Sequence, residues 1–211
     1  MTHRFAELMF TQAVRAQQTR MGSRGNYEQL DHPGAHGNDR LGPSETSFIA
    51  ARDSFYMATI SETGWPYVQH RGGPPGFLKA LDDRTLGFAD FRGNRQYVSV
   101  GNLAGDDRVS IIMVDYPNKR RLKIIGHARL VEVADEPDLI ARVQDADYRA
   151  RVERAMIITL EGFDWNCPQH LTPRFSEAEV MALVTPLVER VRAAEQRIAE
   201  LTGQAELGQP E

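Results

Sequence analysis

Between Ser54 and Val133 the chain passes through SFYMATI, PYVQHR, FLKAL, TLGFAD, VSIIMVDY and LKIIGHARLVEV, segments dense in β-branched, aromatic and aliphatic residues. Turn chemistry separates them: ETG at 62–64, GGPPG at 72–76, DDR at 82–84, GDD at 105–107 and PNK at 117–119. Short strands with short connections pair antiparallel, because a parallel crossover needs about a dozen residues or more. ERAMIITLEGF adds a further strand after an acidic, helix-prone insert over 134–149. Six or seven strands with tight turns and few intervening helices predict a mainly β protein, closed or partly closed as a barrel, with helices at its flanks.

The flanks follow a different period. Phe5, Leu8, Met9, Ala13 and Ala16 fall at helical spacing and predict an amphipathic helix over 3–19. Residues 20–43 are rich in Gly, Asn, Asp and His and read as a long surface segment, after which Ser44 is placed to N-cap a short helix, ETSFIAAR. At the other end Ser176 and Glu179 form a capping box, and Leu187, Val191, Ala194, Ile198 and Leu201 repeat at alternating four- and three-residue steps. Pro186 is expected to divide this region into a short and a longer helix. The stripe requires cover, from the barrel or from another subunit. The expected organisation is an N-terminal helix and extended loop over 1–43, a barrel domain over 44–175, and a C-terminal helix and tail over 176–211.

Charge and cysteine content narrow the function. The 25 Lys and Arg against 29 Asp and Glu give a net charge of -4, which supplies no global field for nucleic acid or an anionic membrane. Any phosphate must be held locally. The single cysteine, Cys167, excludes an internal disulfide and fits a reducing compartment. MTHRFAELMFTQAV lacks the uninterrupted apolar core of a secretory signal, and no stretch reaches the roughly 20 apolar residues that span a bilayer, so a cytoplasmic location is expected.

Four segments carry candidate chemistry. In QHRGGPPGF, over 69–77, a strand ends at Arg71 and passes into Gly72 and Gly73, whose bare backbone could lie against a flat ring with Pro74 and Pro75 stiffening the wall; a plain inter-strand turn has the same composition. In FADFRGNRQYVSVGNL a strand passes into a helix expected to start near Asn94, so Gly93, Asn94 and Arg95 would meet the positive end of the helix dipole. An N-capping Asn beside an exposed Arg would look alike. Lys119, Arg120, Arg121 and Lys123 open the longest strand, with Arg121 and Lys123 on one face and Leu122 and Ile124 on the other; charges guarding a hairpin end are the alternative. FDWNCPQH, over 163–170, gathers Trp165, Cys167 and His170 in an expected loop, with too few ligands for a metal site and no partner for Cys167 beyond His170. HExxH, GxSxG, Walker and GxGxxG motifs are absent, which argues against a metalloprotease, a serine hydrolase, a P-loop enzyme and a Rossmann dehydrogenase.

Taken together, RGGPPGF, GNR, the RRLKIIG strand and NCPQH, in that order between Phe48 and Arg174, resemble the pyridoxamine 5'-phosphate oxidase-like family of FMN-binding split barrels, in its predicted flavin-nucleotide-binding branch. The resemblance implies a split β-barrel that binds FMN, in a homodimer with cofactor sites at the subunit interface. It places Gln69, His70, Arg71, Gly72 and Gly73 along the flavin ring and ribityl chain, and Phe88, Ala89, Asp90, Asn94 and Arg95 at the ribityl and phosphate end. Arg121 would reach the cofactor, and Arg121 or Lys123 would face negative charge on a reduced flavin. Two departures stand out: Asn94 replaces a basic residue of the family's phosphate loop, and the C-terminus is helical, without the tryptophan, paired glycines and RLHDR-type motif that close over pyridoxal phosphate. The implied activity is therefore an FMN-dependent oxidoreductase acting on a different small molecule, with a non-catalytic flavin, deazaflavin or haem binding module as the alternative.

Overall fold

A computed structural model describes residues 3–32 and 37–206, with side chains described to residue 202. The chain forms two compact units, one built from most of the residues up to Gln169 and one from Tyr116–Lys119 with the segment from His170 onward.

The first unit contains seven strands: β1 (Ser54–Ile60), β2 (Pro66–Gly72), β3 (Lys79–Ala80), β4 (Thr85–Phe91), β5 (Arg108–Asp115), β6 (Arg120–Glu132) and β7 (Val152–Asn166). They form one sheet in the order β2-β1-β5-β6-β7-β4-β3, and every pairing is antiparallel. The expected mainly β, helix-flanked split barrel is the architecture found. β2 and β4 stand near opposite ends of the hydrogen-bonded order, yet Arg71 Nη1 of β2 lies 2.7 Å from Asp90 Oδ1 of β4. The sheet therefore curls until its two ends meet through side chains, leaving a split where no strand pairing closes it. Phe55, Met57, Phe88, Leu122, Ile124, Met156 and Ile158, each 1% exposed or less, fill the inside of that curl. A smaller cluster of Ala89, Val131, Ile140, Val143, Ala155 and Ile157 lies outside it under helix α5 (Pro137–Val143). β4 is thus buried on both faces, which is why TLGFADF lacks polar alternation.

Both long strands bend at a bulge. The β6–β7 register shifts between Ile125 and Gly126, and a Cβ on Gly126 would lie 2.3 Å from the Thr159 carbonyl oxygen. Only glycine lets the two backbones approach this closely.

The flanking segments correct several expectations. The N-terminal helix is two helices, α1 (Arg4–Met9) and α2 (Gln12–Arg20), because the Thr11 side chain accepts a hydrogen bond from Val14 N and restarts the helix. The segment after α2 holds two short 3-10 turns, Arg24–Asn26 and Glu28–Asp31, pinned by Arg15 and Arg24 on Asp31; residues 33–36 lie outside the described residues. Helix α3 (Pro43–Ala50) is capped by Gly42, not Ser44, because Pro43 takes the first helical position and Glu45 reaches back to accept from Gly42 N at 2.9 Å. Phe163–Asn166, expected in a loop, end β7, since their backbone pairs with Arg121–Ile124 of β6.

In the second unit the capping box forms, with Ser176 N donating to Glu179 Oε2 at 2.7 Å and Glu179 N to Ser176 Oγ at 3.2 Å. Helix α6 then runs unbroken over Glu177–Glu206 with Pro186 inside it. The helix is solvent-exposed along its described length, so water can take the carbonyl that Pro186 leaves unpaired. Among the described residues no helix is long and apolar enough to cross a membrane.

Gly126→Ala is expected to lower the unfolding free energy by about 3 kcal/mol, since the clash is with backbone. Gly101→Ala, whose Cβ would meet nothing within 4 Å in helix α4 (Val98–Gly105), should raise it by about 0.5–1 kcal/mol. Urea unfolding of both variants checks the opposite signs.

Candidate functional site

Beside the Arg71–Asp90 bridge, the end of β2, the end of β4 and the start of α4 enclose a cavity of about 270 Å³. Along β2 the side chains alternate, with Gln69 and Arg71 partly buried and His70 and Gly72 exposed. Arg71 is thereby aimed inward at Asp90, and Arg154 Nη1 approaches the other oxygen of the same carboxylate at 3.5 Å. Burial, opposed by the charges of Arg71 and Arg154, pushes the Asp90 carboxyl above its ordinary value of 3.8.

A second bulge sits at the cavity wall. Asp90 pairs with Arg154 and Phe91 with Val152, which leaves Glu153 unpaired in the ladder and facing the cavity. Its carboxylate accepts from the Tyr97 hydroxyl at 3.1 Å, and the Arg154 guanidinium lies 5.3 Å from the centre of the Tyr97 ring. The loop between β4 and α4 is held in an uncommon backbone form: Arg95 and Tyr97 have φ of 61° and 54°, and Asn94 Oδ1 accepts from Gln96 N at 3.1 Å.

This corrects the expected start of the helix. Two left-handed residues cannot belong to a right-handed helix, so α4 begins at Val98, past Gly93, Asn94 and Arg95. Its first intrahelical bond is from Gly101 N to Tyr97 O at 2.8 Å, so the N–H groups of Val98, Ser99 and Val100, all in the cavity wall, precede the helical ladder. Two further donors there are unmatched: Ser99 Oγ, in a residue only 3% exposed, and Arg71 Nε are both buried without a hydrogen-bond partner. Arg71, Ser99 and the leading residues of α4 thus border one space with Arg95 at its rim, a set of donor-bearing residues whose chemistry suits an anion.

The cavity brings together Gln69, His70, Arg71, Gly72, Phe88, Ala89, Asp90, Asn94 and Arg95. Gly73, Arg121 and Lys123 do not line it. A Cβ on Gly73 would lie 2.7 Å from Phe77 Cγ, so this glycine makes room for the Phe77 ring, itself part of the wall. The alternation expected in β6 is present, but its basic face is engaged within the chain: Arg121 donates to the carbonyls of Cys167 and Gln169, and Lys123 Nζ lies 2.9 Å from Asp164 Oδ2. Trp165 is structural, its Nε1 donating to Glu45 Oε1 at 2.9 Å and its ring lying under the Arg120 guanidinium. Cys167 is exposed, and among the described residues no group of three or more His, Cys, Asp or Glu is placed to hold a metal ion. Tyr97, Ser99 and Glu153 escaped the sequence reading. The one signal was the charged pair Glu153–Arg154 standing before the apolar run AMII.

A curled antiparallel sheet with a cavity at its split defines a split-barrel protein. Residues 43–164 match the sequence model described as pyridoxamine 5'-phosphate oxidase, and the chain belongs to that family. No curated protein sequence matches it. Among solved structures it is similar to HupZ of Group A Streptococcus, at 15% identity and a TM-score of 0.48 over 64% of this chain and 99% of that one. An FMN-binding protein of Syntrophomonas wolfei gives 15% identity and a TM-score of 0.42 over 74% and 95%. The haem storage protein HutZ of Vibrio cholerae gives 18% and 0.39 over 59% and 94%.

Because the folded pKa of Asp90 is raised, its contribution to stability is full below about pH 4 and is lost as pH rises through the folded value. The stability of the native protein relative to Asp90→Asn should therefore fall between pH 4 and pH 7. Paired denaturant titrations across that range check it, and a difference independent of pH would show an unshifted carboxyl.

Proposed function

We propose that this chain binds FMN and acts as an FMN-dependent oxidoreductase on a small molecule other than a vitamin B6 phosphate. The observation that carries the reading is the set of unmatched donors, Arg71 Nε, Ser99 Oγ and the leading N–H groups of α4, gathered in one cavity. A dianionic phosphate is the flavin's group that satisfies them, with Arg95 closing over it from the loop. The cavity, about 270 Å³, suits the phosphate and ribityl end, while the partly exposed end of β2 at Gln69, His70 and Gly72 offers backbone and side chains to the ring. When bound, the flavin supplies the hydride or electron transfer; the protein orients it and excludes water. Asp90 holds Arg71 in place, and Glu153 holds Tyr97 against the loop that carries Arg95.

The reading includes a homodimer with the ring covered by a second subunit. β2 is an edge strand, and Tyr56, Trp65 and Val68 beside it are 43%, 75% and 61% exposed, an apolar surface that supports such a contact. One observation favours a non-catalytic flavin carrier, or a barrel for a deazaflavin or haem: Asp90 and Glu153, the carboxylates of the cavity, are both occupied by partners, so neither is free to act as an acid or base. A carrier's reduced cofactor would reoxidise at a rate that no candidate acceptor alters.

The purified protein is expected to show a flavin absorption spectrum and to release FMN, identified by mass, on heating. Arg95→Ala and Ser99→Ala should each weaken FMN retention by about tenfold or more without lowering the Tm of the cofactor-free protein. A colourless protein that takes up no added FMN would overturn the reading.

A further inference from the structure

Because α6 runs through Pro186, its apolar stripe is longer than the repeat that starts at Leu187. In a heptad frame Val184, Val191 and Ile198 occupy position a, and Val180, Leu187, Ala194 and Leu201 position d. These side chains are uncovered: Leu187, Val191, Ile198 and Leu201 are 55%, 56%, 64% and 50% exposed. Pro186 falls at c, on the opposite side, so its missing donor does not disturb the stripe.

The pattern selects both the number and the direction of strands. β-Branched residues at every a with leucine or a small residue at three of the four d positions favour a two-stranded, parallel coiled coil. Flanking the seam, Leu183, Arg190 and Arg197 stand at g, and Met181, Val188, Glu195 and Thr202 at e. In a parallel pair in register each g residue faces the e residue of the next heptad across the seam. Arg190 then meets Glu195 of the partner subunit, and Leu183 meets Val188 of the partner subunit. An antiparallel pair would set e against e and g against g, taking Glu195 away from Arg190 and placing the arginines at g against each other.

We propose that α6 forms a parallel two-stranded coiled coil, in register over residues 180–201, with α6 of a second copy of this chain. The occupant is identified by self-complementarity: a two-fold axis along the seam brings identical a and d layers together and makes both Arg190–Glu195 contacts at once. The contact does not rest on the flavin reading. It is a surface of the helical segment, separate from the cavity and its residues.

The test uses the full chain carrying Cys167→Ser, with one thiol added on the helix and a mild oxidant such as diamide. L201C, at d, should form a covalent dimer at least about tenfold faster than Q196C, which lies at the outward f position. R190E in the L201C background should slow cross-linking about threefold, and R190E combined with E195R should restore the rate. Equal rates for L201C and Q196C, or no cross-linking of L201C, would overturn the proposal and point to a helix covered by its own barrel or left free. Cross-linking that appears only when V180C and L201C chains are mixed would overturn it in favour of an antiparallel pair. Flavin content read from the same samples reports on the cofactor independently.

Discussion

The Arg71–Asp90 bridge is the interaction on which the arrangement of the site depends. It joins strands that the hydrogen-bonded ladder keeps far apart, and so sets the width of the split. Two charges taken from water gain little net stability from each other, and the raised pKa of Asp90 shows how strongly its burial is felt. What the bridge supplies is position: with one Nη on Asp90, the Arg71 guanidinium is fixed at the cavity wall while its Nε is left without a partner. Removing Asp90 would leave the Arg71 guanidinium without its partner, while removing Arg71 would leave Asp90 with Arg154 alone.

Around that bridge, the barrel departs from regular β structure where a ligand would sit. The bulge at Glu153, the left-handed pair Arg95 and Tyr97 and the late start of α4 all fall on the cavity wall. Each costs local energy that the surrounding core must hold in place, and such features gather at binding sites. The bulge at Gly126 lies elsewhere, just past the stretch of β7 that pairs with β4.

Family membership defines the scaffold, and function lies in the sites placed on it. Here the barrel keeps a cavity lined by both arginines and carboxylates, while the C-terminal segment is a long helix with an exposed apolar seam. The two features are separable. No residue of the one lines the other.

The fold was legible in the sequence because its signals are local. Alternation of side chains and the turn residues Gly, Pro, Asn and Asp define strands and hairpins without reference to distant residues, and the capping box at Ser176 marked its helix correctly. Half of the residues lining the cavity were also visible: Arg71, Gly72, Asn94 and Arg95 stand in Gly, Asn and Arg clusters at strand ends, and Gln69, His70, Phe88, Ala89 and Asp90 came with the family resemblance. What the sequence could not convey was placement set by long-range packing. Basic residues on β6 look the same whether they face a ligand or, as Arg121 and Lys123 do, hold the end of β7. Gly73 resembles a ring-facing glycine until Phe77 is folded over it. Ser99 is an ordinary helix residue until burial leaves its hydroxyl without a partner. The order and type of the strands come from local backbone and side-chain preferences. Which side chains meet across the split depends on how the sheet curls, a property of the whole core that is encoded in no single segment.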